Sequence, residues 1–174
     1  MKKLMMTLAV LASAFAVNAS SVSWGVDLEA EDTEYDGWNY AFIQGNSGAA
    51  LAAFLDQGKT SDFSSALATL NKDQGTFAEE YYGAALGILA DVTPADSGHV
   101  FVWQGLAEGN AYMYTDAESL AGLTYDPPTP PSGVVTFDTS ANWTNGTVGA
   151  APEPTSGLLL LIGVAGLALR RRRA

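Results

Sequence analysis

Six carboxylates crowd into residues 27–36: Asp27, Glu29, Glu31, Asp32, Glu34 and Asp36. Several oxygens on one short loop are what Ca²⁺ requires, and the spacing Asp32-x-Glu34-x-Asp36-Gly37 follows the opening of a calcium loop. The pattern departs where Glu34 stands for Asp or Asn, and where Ile43 takes the last position in place of a bidentate Glu. A solvated acidic loop is therefore expected, with no resident cofactor; Asp32, Glu34 and Asp36 are the groups Ca²⁺ would use if it bound. The lone histidine, His99, opens an apolar stretch and is expected as a half-exposed strand residue. It is the only imidazole able to serve as base to a serine, and no Gly-x-Ser-x-Gly elbow or His-Glu-x-x-His pair accompanies it. Glu79 and Glu80 are sequence neighbours, which seldom face one site. With no cysteine there is no thiolate nucleophile, thiolate zinc site or disulfide. The chain is read as non-catalytic, a paired-carboxylate hydrolase being the third choice.

The elements that would hold these residues alternate between strand and helix patterns. Val22, Trp24 and Val26 lie on one face of an opening strand, and residues 39–44 form a second. Ser47 is placed to cap a helix ending near Gln57 and Gly58. Thr60 or Ser61 would cap another, its stripe Phe63, Ala66, Leu67 and Leu70 at helical spacing and Lys72 in its last turn. The short link predicts a helical hairpin packed on a sheet. Residues 82–92 read as strand or buried helix, with Gly83 and Gly87 against the helix. Residues 93–98 read as a turn, and 99–104 and 111–115 as an antiparallel pair. The fold class is α+β: a mostly antiparallel, sandwich-like sheet system carrying a helical hairpin. The globular domain is assigned to residues 20–126, a proline-rich spacer to 127–133, and a last strand (134–138) with a flexible stalk to 134–151. The stalk holds the sequons Asn142-Trp143-Thr144 and Asn145-Gly146-Thr147.

Both ends carry export signals. Lys2 and Lys3 precede an apolar run over 4–17 and the small residues Val17-Asn18-Ala19, a secretory signal peptide cut after Ala19. At the other end Pro152-Glu153-Pro154 is followed by 13 residues without a polar side chain, 157–169, and then Arg170, Arg171, Arg172 and Arg173. As a helix that run rises roughly 20 Å, short of a hydrocarbon core about 30 Å thick. The arginines would stop the segment at the cytoplasmic headgroups. This tail resembles the PEP-CTERM sorting signal of Gram-negative bacteria. The resemblance implies Sec export, transient anchoring in the inner membrane, and processing near Pro152-Glu153-Pro154 by an exosortase-like enzyme. It covers residues 151–173 and says nothing about the rest.

Between the signals, residues 20–151 set two lysines against eighteen carboxylates, a net charge of −16. Such a surface disfavours nucleic acid and anionic lipid. The expected function is structural or adhesive, at the cell surface, in the outer envelope or in the extracellular matrix, with exopolysaccharide as a candidate partner. The alternative is a carbohydrate- or cation-binding module using exposed tryptophans and the acidic loop.

Overall fold

Every residue of strand β1 (Ser20–Asp27) except the last is buried, which places it at the centre of a sheet rather than at an edge. The computed structural model describes residues 20–29, 34–78, 83–93, 96–126, 131 and 133–151, and the elements below lie within them. In order they are β1, β2 (Asn39–Gln44), α1 (Gly48–Asp56), α2 (Thr60–Thr69), β3 (Lys72–Thr76), β4 (Ala84–Val92), β5 (Ser97–Trp103), β6 (Ala111–Thr115), the two-residue strands β7 (Glu118–Ser119) and β8 (Thr124–Tyr125), β9 (Val134–Asp138) and β10 (Trp143–Thr147).

Two sheets form. In the first, β4 runs antiparallel along one edge of β1, while the other edge is shared by β8, antiparallel, and β9, parallel. The second has the order β10-β6-β5-β2-β3, with β7 also on β5. Val22, Trp24 and Val26 of β1 meet Phe42, Val100, Val102 and Met113 of the second sheet in one core, joined by Val135 and Phe137. Trp24 stacks on Phe42 (5.4 Å between centroids) and meets Tyr40 edge-on at 5.7 Å. The opposite face of the second sheet packs Ala41, Ile43, Phe101 and Trp103 against Leu51, Leu55, Phe63 and Leu67 of the helices. The layers are thus sheet, sheet, helical hairpin. This explains why β2 and β5 read as continuous apolar runs: both of their faces are covered.

The helical hairpin sits between β2 and β3, as expected, and α1 ends in a Schellman turn. Gly58, at φ +64°, donates to Leu55 O (2.9 Å) and Lys59 donates to Phe54 O (2.8 Å). Four local expectations fail. Ser47 precedes α1 but makes no side-chain cap, and α2 is preceded by Lys59 rather than capped by Thr60 or Ser61, because the tight turn leaves no extra residue. Lys72 is not helical: the chain turns extended at Leu70, and Lys72 starts β3, an edge strand whose polar sequence hides its pairing. Of the segment read as strand or helix, Ala84–Val92 is strand β4, as the glycines favoured, bulged against β1 where Asp91 adopts φ +59°. The turn assigned to 93–98 is shorter than expected, since Ser97 and Gly98 already belong to β5.

The largest correction concerns the C-terminal third. Residue 126 is not the end of the folded unit, because β9 pairs with β1 and buries Val135 and Phe137 in the main core. Residues 139–151 are not a flexible stalk either. β10 pairs with β6 over five residues and takes the second sequon and all but Asn142 of the first into the sheet, and Val148 is 2% exposed. Small and polar residues suffice for an edge strand whose partner supplies the bulk: the Tyr112 ring lies over Gly146, where a Cβ would collide with it.

Candidate functional site

Only part of the acidic loop lies within the described residues. Glu34 and Asp36 are exposed in a turn, Asp32 lies outside the described residues, and no group of three His, Asp or Glu able to hold a metal occurs among the described residues. Asp27 Oδ1 accepts the Glu29 N–H (3.0 Å), and the turn after Glu34 is anchored by Gly37 N–H to Phe77 O (3.1 Å) with Tyr35 edge-on to Trp38. Glu79 and Glu80 also lie outside the described residues.

His99 is fully buried rather than half-exposed, because β5 is a central strand paired with β2 and β6 and the turn after β2 lies against its ring. Its Nδ1 lies 2.9 Å from Gly45 O, so the tautomer protonated at Nδ1 donates there. Its Nε2, like the buried Ser47 Oγ before α1, has no hydrogen-bond partner among the described residues. Burial pushes the imidazole pKa below its usual value, partly offset by the Gly45 carbonyl. A buried imidazole of this kind has no open path to a substrate. The tryptophans are equally enclosed: Trp24 and Trp103 are buried, Trp38 and Trp143 half-buried against the core, so no exposed indole platform is present among the described residues.

What the sequence did not reveal is the outer face of the first sheet. Register places Ser23 between Ile88 and Val134, and Gly25 between Leu86 and Thr136. Leu86 is 80%, Ile88 60% and Val134 48% exposed, flanking a shallow hollow of about 370 Å³ floored by Ser23 and Gly87. A Cβ on Gly25 would come within 2.7 Å of Leu86 Cδ2, so the glycine lets that side chain lie over β1. Within β1, β4 and β9 charge stands only at the ends of the sheet, where Asp27 pairs with Asp138 at one end and the exposed Asp91 sits in the bulge at the other. Hydrogen bonds from Ser140 hold the Asp138 carboxyl below its usual range. The signal was available in the alternation of residues 84–90, but periodicity alone does not say which face a second sheet covers.

The second feature is the exit of the chain. Val148 donates to Asn110 O and accepts from Gly109 N–H, and Gly149 donates to Leu55 O, each at 2.8 Å. The backbone of Ala150 fills the space where a Gly58 side chain would stand, and a Cβ on Gly149 would collide with Asp56 O. Close by, Tyr112 Oη donates to Asp56 Oδ1 (2.5 Å), joining β6 to the end of α1. Burial, and then this carboxylate, raise the phenol pKa far above its usual value. Residues 148–151 are therefore strapped across the C-terminal end of α1.

Directly after the strap come Pro152-Glu153-Pro154, the apolar run 157–169 and Arg170 to Arg173, which lie outside the described residues, as does Ala19. Among the described residues no helix is long and apolar enough to cross a membrane. Residues 150–173 match the PEP-CTERM protein-sorting motif. The motif marks an exported protein, anchored in the membrane before an exosortase processes it. No curated protein and no solved structure matches the chain.

Proposed function

We propose that the processed protein is a non-catalytic structural or adhesive component of the cell surface or extracellular matrix, and that it associates with further copies of itself through the outer face of its first sheet. The observation that carries this is the run of exposed Leu86, Ile88 and Val134 in the middle of a sheet whose three long strands carry charge only at their ends. Exposed apolar side chains in a contiguous group mark contact surfaces. Elsewhere two copies carrying −16 each repel one another. A charge-poor apolar face is the side on which they approach at least cost, and two such sheets pack face to face about 10 Å apart.

Sedimentation velocity on the processed protein tests this. Association should grow with concentration from micromolar upward and strengthen between about 20 and 150 mM NaCl, as screening removes the residual repulsion. Leu86→Asp with Ile88→Asp should leave a monomer with unchanged circular dichroism. A wild-type monomer at every concentration and salt, or association indifferent to the double substitution, overturns the proposal.

A further inference from the structure

The motif match starts at Ala150, yet Ala150 and Ala151 are the last residues of the strap on α1. No linker separates the folded domain from Pro152-Glu153-Pro154. We infer that residues 148–151 are a conformational gate on sorting: while they lie on α1, the processing enzyme cannot engage the chain around Pro152, and processing proceeds through a state in which the strap has peeled away. This rests on the exosortase reading of the tail.

Enzymes that act on peptide bonds take their substrates as extended strands, reading several backbone groups on either side of the bond. Here the upstream side is occupied. The Gly149 N–H is committed to Leu55 O and both backbone groups of Val148 to the loop at 109–110. The approach of Gly149 and Ala150 to Asp56 and Gly58 leaves no room even for a methyl group, and therefore none for an enzyme cleft. Slack cannot come from the other side. Between Ala151 and the apolar run at residue 157 the sequence supplies five residues, at most ~20 Å of chain.

Peeling is a local event. It costs three backbone hydrogen bonds and the burial of Val148, and it leaves both sheets and the helical hairpin in place. The conformational freedom that the released residues regain offsets part of that cost, so the strap is expected open in roughly one molecule in ten to one in a hundred, and removing it should speed processing by about that factor.

Pulse-chase of the full chain in cells carrying the exosortase decides the matter. Eight Gly/Ser residues inserted between Ala151 and Pro152 supply slack without touching the fold, and the half-time of tail removal should fall by about tenfold or more. Gly149→Ala, which pushes the strap off Asp56, should act in the same direction and speed hydrogen exchange at the Val148 amide. The triple substitution of Pro152, Glu153 and Pro154 by alanine is the control. If that control blocks removal while the insertion leaves the half-time within about twofold of wild type, the gate is refuted and the sorting role stands. If the control is trimmed like wild type, the exosortase reading fails and the gate with it.

Discussion

Gly87→Ala tests how the two sheets are held together. Trp24 Nε1 on β1 donates to Asp73 Oδ2 on β3 at 2.9 Å, the link from the first sheet to the edge of the second. That bond passes over Gly87: a Cβ there would fall on Asp73 Oδ2 and within 2.6 Å of Trp24 Nε1. The residue must be glycine for lack of space, not for backbone freedom. Adding a methyl forces the indole or the carboxylate away. Loss of a hydrogen bond to a charged acceptor costs about 1.5–3 kcal/mol, and overpacking beside a 1% exposed tryptophan adds about 1–3 kcal/mol. The sum, roughly 2.5–6 kcal/mol, is a large part of the ~5–15 kcal/mol of a typical domain. Urea titration of the processed protein, followed by tryptophan fluorescence and near-UV circular dichroism, measures it. Asp73→Asn retains an acceptor and should cost about 1 kcal/mol. In the double-mutant cycle of Trp24→Phe with Asp73→Ala, a coupling of about 1–3 kcal/mol is expected. A Gly87→Ala protein within ~0.5 kcal/mol of wild type would refute the close approach, and a coupling near zero would refute the bond.

Two further outcomes concern charge. His99 is buried with its pKa lowered, so the unfolded chain binds its proton first as pH falls; stability contributed above the ordinary value near 6.5 is lost below it, by at most about 1.4 kcal/mol per pH unit. Urea midpoints at pH 7.5 and 5.5 should show a steeper acid loss in wild type than in His99→Phe, and equal slopes would mean the imidazole is not enclosed. The net charge of −16 on residues 20–151 should raise the thermal midpoint between about 20 and 150 mM NaCl. An unchanged midpoint means the carboxylates are too dispersed to repel, and a much larger rise with Ca²⁺ at matched ionic strength would assign the loop at 27–36 a cation.

Much of the architecture is written locally. The Val22-Trp24-Val26 alternation, the apolar runs of β2 and β5, and Gly58 after an amphipathic stretch each depend on neighbours within a few residues, so periodicity exposes them. The sorting tail is legible for the same reason: three components in a fixed order, each defined by its own composition. Edge strands are different. β3 reads Lys-Asp-Gln-Gly-Thr and β10 Trp-Thr-Asn-Gly-Thr, and neither shows an apolar face, because their partners β2 and β6 supply it. His99 looked like a rim residue because a strand's sequence does not state how many layers lie on each side of it. The sequence by itself determined that the chain carries a sorting signal, is acidic and is built around aromatic strands. Only the tertiary structure decided that the presumed stalk is an edge strand and a strap, and that Leu86 and Ile88 face outward. Both depend on pairing between residues far apart in sequence, and that pairing follows from burying all the faces together.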